Sequence, residues 1–346
     1  MTATCPRSVV IGTGLIASAH LAALRRLGAR EIVVWSPDEG RRTRFAERWA
    51  ADPAPSLVDA IATPSATRVH VCSPPMQHLD SIELAAERGL AVLCEKPLAP
   101  TYPLARRAQD AIATARVSAW LGFNRRLDPG IVLMRRAVAD GTIGRPVSVF
   151  GHYRQQWNAA PSTVDWRFDP ALVGPSRTLT EIGSHWFDLA SFVIDAPVVR
   201  VSARFGYLGT RPVAATAGAE TVSPPNDDLF AALVELENGV VGAVHGTELA
   251  HGSVDEIELR VDGTEGSTMW DSAHPGLVRI GNKVSGIRVL GTDLPSDSVA
   301  TVIEAVNESR AAELGVATFA DGVANAAVLD AARRSAETRA WEEVAA

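Results

Sequence analysis

A lysine, a glutamate and a histidine in this sequence have the types and settings that proton and charge chemistry needs. In CEKPLA, Lys96 stands between an acid and a proline directly after the apolar run GLAVLC. That run is short and apolar enough for a buried strand, so Lys96 should emerge where the chain leaves a sheet. In EIGSHWFDL, Glu181 and His185 are four apart and Asp188 is three further on, so a helix would place all three on one face. Histidine can serve proton transfer in either direction, because its unperturbed pKa lies near operating pH.

Blander readings stand beside these. Lys96 could be a surface lysine and His185 a packed helix residue. Thr178-Leu-Thr-Glu181 is also a capping box, in which the Thr178 hydroxyl and the Glu181 carboxylate satisfy free amides at a helix start. Glu181, His185 and Asp188 could in principle ligate a metal, but the nucleotide and lysine motifs make that redundant, and none is expected.

The segment VVIGTGLIASAH sets Gly12, Gly14 and Ala17 in GxGxxA spacing, after a strand and into a helix. Gly12 permits a tight turn, Gly14 the close approach of a pyrophosphate to backbone N–H groups, and Ala17 close helix packing. The strand–turn–helix context raises this above a plain turn. An NAD-binding chain is expected to end its second strand on an acid for the ribose hydroxyl. Here VVWSPDEGRR offers Ser36, with Arg41 and Arg42 beyond. A hydroxyl with a guanidinium suits a 2′-phosphate better, so NADP is favoured over NAD; the alternative is a solvated first helical turn.

With such a cofactor the chemistry acquires a direction. Hydride removal from an alcohol needs a base for the hydroxyl proton, and the reverse needs an acid for the carbonyl oxygen. His185 can be that group, Lys96 can hold a positive charge beside the developing alkoxide, and Glu181 can orient His185 or bind a hydroxyl. The irregular segment HYRQQWNAAPSTVDWRF brings Arg154, Gln155, Trp157, Asn158 and Asp165 as hydroxyl partners and an aromatic face for a polyhydroxylated ring. Arg154 could instead clamp a phosphate or carboxylate. His245 and His251 remain possible contributors.

The elements that must position these residues fall into two textures. Up to about residue 123, strands such as SVVIG, EIVVWS and RVHVCS alternate with helices, which implies a parallel sheet covered on both faces. From residue 124 to 346 come a helix (PGIVLMRRAVADG), the run PVSVFGHYR, a helix near His185, and the alternating runs VVRVSARFGYL, DLFAALVELENG, VVGAVHGTEL and EIELRVDG. ENG and VDG signal hairpins, so a mostly antiparallel open sheet is expected there, with a last helix over 321–340. Two domains also fit a chain of 346 residues.

A net charge of −7 with mixed signs and no basic stripe speaks against nucleic acid. Cys5, Cys72 and Cys94 form an odd set without CxxC spacing, which points to a reducing, cytoplasmic setting. MTATCPRSVV lacks the charge and apolar stretch of a signal peptide, and no window has the length of a membrane span, so a soluble, unexported protein is expected.

In order and spacing, GTGLIA, CSPPMQH, CEKPLA, GFNRRL, GTIG and EIGSHWFDL resemble the Gfo/Idh/MocA oxidoreductases, the family of glucose–fructose oxidoreductase and inositol dehydrogenase. The likeness runs from about residue 7 to the last helix. It implies an N-terminal Rossmann doubly wound domain (1–123) and a C-terminal α/β domain (124–346) with an open sheet. The activity implied is an NAD(P)-dependent sugar or cyclitol dehydrogenase or ketoreductase.

The resemblance further implies that Thr13, Gly14, Leu15 and Ile16 lie along the pyrophosphate and Ser73, Pro74 and Pro75 near the cofactor's centre. Glu95 is implied at the nicotinamide ribose, Lys96 between cofactor and substrate, and Asn124, Trp166 and Arg167 beside the nicotinamide. Ser36 and Arg41 match positions that hold the 2′-phosphate in NADP-using members, while His78 would serve structure. Some relatives carry aspartate four residues before the histidine, as DxGxH; the extra methylene of Glu181 moves the carboxylate by more than about 1 Å. As in family members, the open sheet face would pair subunits into a homodimer or homotetramer. Rival activities are glycoside hydrolysis with a retained nicotinamide, which some relatives perform, and non-catalytic cofactor-binding regulation.

Overall fold

The structure, a computed structural model, describes residues 7–159, 164–213, 220–292 and 296–345. Cys5 and residues 160–163 of the expected substrate segment lie outside the described residues. The chain groups into two compact units, Met1–Asn124 with Asp297–Val323, and Arg125–Ser296 with Ala324–Ala346. The segment Asp297–Val323, assigned by the sequence division to the second part, therefore lies with the first.

The first unit runs through β1 (Arg7–Ile11), α1 (Leu15–Arg26), β2 (Ile32–Trp35), α2 (Glu39–Trp49), β3 (Asp52–Pro53), α3 (Leu57–Ile61), β4 (Ala66–Val71), α4 (His78–Glu87), β5 (Ala91–Cys94), α5 (Tyr102–Ala115) and β6 (Ala119–Leu121). Its strands form one parallel sheet in the order β3-β2-β1-β4-β5-β6. Val9, Val10, Val34, Val69, Val71, Val92 and Leu93 have no exposed surface, which explains why these strands read as apolar runs and not as alternating ones. Strand order reverses between β1 and β4, and the crevice beyond the carboxyl ends of two such strands is where doubly wound sheets bind ligands. The glycine turn follows β1 and CSPPMQH follows β4, so both motifs rim that crevice. Cys72 and Cys94 are free and buried.

The second unit begins with α6 (Pro129–Ala139), β7 (Pro146–Arg154) and α7 (Pro170–Val173). A π-turn at Leu179–Gly183 runs into α8 (Ser184–Ile194), followed by β8 (Val198–Gly206) and the short pair β9 (Arg211–Pro212) and β10 (Thr221–Val222). Then come β11 (Leu229–Leu236), β12 (Val241–Thr247), β13 (Glu256–Gly263), β14 (Ser267–Asp271), β15 (Leu277–Asn282) and β16 (Gly286–Gly291). Next, α9 (Ser298–Asn307) and α10 (Ala311–Leu314) belong to the first unit, α11 (Phe319–Thr338) begins in the first and ends in the second, and β17 (Glu342–Glu343) closes the chain.

The nine-stranded sheet of the second unit has the order β16-β15-β14-β13-β7-β12-β11-β8-β17, and every pairing in it is antiparallel except β7 with β12. Burial alternates along β11 and β13, so one face lines a core and the other is open. On the covered face α8 packs against β7 and β13, with Trp186, Phe187, Leu189, Phe230, Leu259 and Trp270 in one cluster. Buried nearly all round, α8 is a core helix, and this fixes the frame of His185. No helix among the described residues is long and apolar enough to cross a membrane.

Candidate active site

In the first unit the glycine turn has the geometry its spacing predicts. Gly12 leaves β1 at φ +115°, and a Cβ there would lie 2.4 Å from the Cys72 carbonyl oxygen. Its N–H donates to Trp35 O at 2.7 Å, so the turn is wedged between the ends of β2 and β4 and tolerates only glycine. Gly14 is the N-cap of α1, and a Cβ there would meet nothing within 4 Å. The helix opens with no side-chain cap and no acid in its first turn, leaving its initial N–H groups and positive dipole end to an outside acceptor. Leu15, the first helical residue, is 77% exposed. Two residues after β4, Ser73 Oγ is buried with no hydrogen-bond partner among the described residues. Open space at an uncapped helix start, at the reversal of strand order, fits a pyrophosphate-bearing dinucleotide.

At the end of β2, Ser36 is buried, its hydroxyl 3.4 Å from Thr13 Oγ1 and donating at 3.4 Å to Asp38 O. The two arginines beyond it divide. Arg42 is buried and donates to Ser36 O at 2.8 Å, a structural use that the sequence did not separate from that of its neighbour. Arg41 is exposed, with its backbone N–H on the capping carboxylate of Asp38 at 2.8 Å.

The CEKPLA motif lies at the end of β5, as expected. The Glu95 N–H still pairs with Val71 O at 2.8 Å, and the Lys96–Pro97 bond is cis. Glu95 Oε1 is 3.0 Å from His20 Nε2, while Oε2 accepts the Lys96 N–H at 3.3 Å. A Cβ on Gly122 would come within 2.7 Å of Oε1, so the carboxylate is also walled in. The His78 ring bridges Ser73 O at 2.8 Å and Pro97 O at 3.0 Å, tying the CSPP turn to the lysine bend, and burial pushes its pKa below the ordinary value. Asn124 donates its amide to Ser298 Oγ on α9 at 2.8 Å.

In the second unit the capping box does not form. Thr178 has helical backbone angles, and its hydroxyl donates to Asp227 O at 2.9 Å. The cap is Asp227 itself, whose carboxylate accepts from Arg177 N and Leu179 N, each at 2.8 Å. Glu181 is thereby released from capping, and its carboxylate lies 3.6 Å from Arg167 Nε. Arg167 also meets Asp165 at 2.9 Å and stacks over the Trp166 and Trp157 rings at 4.7 and 5.9 Å. Five residues singled out in the sequence, Trp157, Asp165, Trp166, Arg167 and Glu181, are thus one cluster. The π-turn carrying Glu181 interrupts the regular i, i+4 spacing to His185 expected from a continuous helix. His185 is buried with its ring 6.0 Å from that of Tyr153. Asp188 is gripped by Arg126 through bonds of 2.9 and 2.6 Å.

The expected substrate residues divide by strand parity. Tyr153 faces the core and Arg154 the opposite, open face, where it pairs with Glu256 at 3.1 Å; the period of two along β7 therefore turns Arg154 away from the α8 side and His185. His245 sits beside His152 on that same open face, and burial lowers the pKa of both. His251 is exposed. Gln155 and Asn158, read as hydroxyl partners, are buried holders of the segment: Gln155 donates to Asp255 at 2.8 Å, and Asn158 donates to Glu248. Trp157 is 48% exposed and presents the aromatic face expected of it.

Sequence reading missed the groups that hold this cluster. Buried Arg177 and Arg211 share Asp228, Arg177 also pairs with Glu248, and both guanidiniums lie over the Phe168 ring, at 4.4 and 4.8 Å. Tyr153, bonded to Asp255 at 2.6 Å, was within the quoted segment, and the alternation of β7 could have set it on the core face.

Comparison with known proteins agrees with these motifs. Residues 7–123 match the model of the oxidoreductase family with an NAD-binding Rossmann fold, and residues 131–269 match the GFO/IDH/MocA C-terminal domain. A levoglucosan dehydrogenase of Pseudarthrobacter phenanthrenivorans is 30% identical over 59% of this chain and 55% of its own length. A scyllo-inositol 2-dehydrogenase (NAD(+)) of Bacillus subtilis is 27% identical over 75% of this chain and 72% of its own. Among solved structures, levoglucosan dehydrogenase in complex with NADH and L-sorbose superposes with a TM-score of 0.89 at 26% identity, covering 99% of both chains.

Proposed function

The chain belongs to the Gfo/Idh/MocA oxidoreductase family, and from that premise we propose that it passes a hydride between a nicotinamide dinucleotide and a hydroxyl-bearing or keto carbon of a sugar or cyclitol. The observation that carries this reading is the open, uncapped start of α1 at Gly14, set at the reversal of strand order. A levoglucosan dehydrogenase and a scyllo-inositol 2-dehydrogenase among its relatives support a polyol as substrate class.

The cofactor, when bound, supplies the hydride acceptor or donor. The chain's residues supply the rest. The first N–H groups of α1 hold the pyrophosphate, and Ser73, Pro74 and Pro75 after β4 lie near the cofactor's centre. Glu95 takes the nicotinamide ribose, and Asn124, Trp166 and Arg167 border the ring. Lys96 stabilises the negative charge that grows on the reacting oxygen, while His185 accepts the hydroxyl proton in oxidation and returns it in reduction. Glu181 holds Arg167 in place, and Trp157 offers its exposed face to the ring of the substrate.

Ser36 and exposed Arg41 at the end of β2 suit a 2′-phosphate, and they set the preference for NADP(H), whereas the levoglucosan dehydrogenase structure holds NADH. The open sheet face, where Leu233, Ala243 and Phe150 are cross-strand neighbours, is assigned to a second copy of the chain in a homodimer or homotetramer. Calorimetric titration with NADP(H) and NAD(H) tests the cofactor reading; binding of neither removes it.

A further inference from the structure

Trp157 is left 48% exposed on a turn over 156–159, which the Ala159 N–H closes on Gln156 O at 3.0 Å. Both flanks of that turn are pinned to the stretch following β12. Gln155 donates its N–H to Thr247 O at 2.8 Å and accepts the Ala250 N–H at 2.9 Å, and Gln156 Oε1 accepts the Gly252 N–H at 2.9 Å. On the other flank, Asn158 gives its N–H to Glu248 O at 3.2 Å and its amide to the Glu248 carboxylate, while Arg211 Nη1 donates to Asn158 O at 2.7 Å. An exposed indole thus stands on a backbone held from both sides.

Arg177 and Arg211, 0% and 1% exposed, are the cations behind this turn. Both donate to Asp228 Oδ1 at 2.5 Å, and Arg177 also reaches the Glu248 carboxylate, so two guanidiniums meet two carboxylates. By its backbone Arg177 belongs to a second piece of the cluster. Its N–H donates to the Asp227 carboxylate at 2.8 Å, and its carbonyl accepts the Glu181 N–H at 2.7 Å, in the π-turn that leads to His185. The adjacent residues Asp227 and Asp228 therefore hold different pieces, the first the segment with Glu181 and the second, through the arginines, the turn with Trp157. Buried ion clusters contribute little net stability compared with apolar side chains of the same volume, whereas the fixed fork of a guanidinium specifies direction.

We propose that Arg177 and Arg211 are positioning residues for the substrate: sharing Asp228, they tie the turn that carries Trp157 to the segment that carries Glu181 and His185, so that the indole face is in place before a ring binds. The role rests on the reading that Trp157 offers this face to the substrate. A wall ordered in advance leaves less conformational entropy to be lost on binding. It supports substrate and transition state alike, so its loss shows in KM and not in kcat.

Two measurements test this, with myo-inositol, D-glucose and levoglucosan as probes and whichever the parent oxidises fastest carried through. Hydrogen exchange on the parent without any polyol should show the Gln155, Asn158 and Ala159 amides at least about a hundredfold slower than in an unstructured peptide; exchange at the peptide rate overturns the proposal. The second measurement is a double-mutant cycle between Arg211→Met and Trp157→Ala. Each single change should raise KM about tenfold, with kcat, and reduced-cofactor affinity by fluorescence titration, within about twofold of the parent. The double variant should be no worse than Trp157→Ala, because the clasp acts through the indole. An unchanged KM in either single variant, a loss confined to kcat, or independent losses multiplying to about a hundredfold overturns the proposal. If Arg211→Met does not fold, Arg211→Lys takes its place: one ammonium lacks the fork that serves both Asn158 O and Asp228, the same coupling is expected, and a parent-like KM contradicts it. A parent that oxidises none of the probes removes the substrate reading of Trp157 and this role with it, and the exchange result then reports on the clasp alone.

Discussion

Arg126 holds Asp188, three residues past His185 in the chain, by two hydrogen bonds, Nε to Oδ2 at 2.9 Å and Nη2 to Oδ1 at 2.6 Å, and both side chains are buried. The carboxylate that a helical face would have offered to a proton relay is thus engaged in anchoring α8. Asp188→Asn leaves a buried guanidinium without its counter-charge and should cost about 3–5 kcal/mol. Denaturant unfolding checks this, and pairing the change with Arg126→Met should recover much of the loss.

Two glycines of one turn should fail in different ways. Gly12→Ala sets a Cβ against the Cys72 carbonyl at a positive φ and should destabilise the protein by roughly 2 kcal/mol or more. Gly14→Ala meets no atom and has an extended backbone, so stability should stay within about 0.5 kcal/mol of the parent. The new methyl fills the space over the helix start, and cofactor affinity should fall at least about tenfold, some 1.4 kcal/mol. Thermal melts beside calorimetry separate the two outcomes.

Cofactor choice should follow the end of β2. Ser36→Asp places a carboxylate where a 2′-phosphate would lie and should move the preference towards NAD(H) by about tenfold or more. Arg41→Ala should weaken NADP(H) alone. Equal losses for both cofactors would show that Arg41 does not read the phosphate.

Stability should decline on both sides of neutrality, for separate reasons. The His20 pKa is raised in the folded state, so its contribution is full below about pH 6.5 and is lost as pH climbs towards about 10. His70 and His78 are lowered, so the unfolded chain takes up protons there first and stability falls as pH drops below about 6.5. His20→Gln should remove the alkaline decline and leave the acid one, as read by denaturant midpoints across pH.

What could be read from the sequence was local. β1, β2 and β5 are buried on both faces and show as apolar runs, and Gly12, Gly14 and CEKPLA act within a few residues of themselves. β3 and β6 are two and three residues long, too short for any period, and every residue of β16 is exposed, so no burial pattern marks it. The support of the site depended on distance. Asp227 caps Leu179 from 48 residues away, and Arg177 reaches Glu248 over 71, pairings that one-dimensional spacing does not encode. Arg154 was misplaced for a different reason: it was grouped with its neighbours by composition, where the strand's alternation decides its face.

The central claim is that this chain oxidises or reduces a polyhydroxylated ring through a nicotinamide. The direct measurement is a spectrophotometric screen of the purified protein with NADP+ and NAD+ against sugars, anhydrosugars and inositols, run beside Lys96→Ala and His185→Ala. Reduced-nicotinamide absorbance that grows with one polyol, and is lost in both variants, is the predicted result. Cofactor binding with product formed but no net absorbance change would replace the dehydrogenase by a hydrolase that retains its nicotinamide. Binding without turnover of any ring would contradict the account.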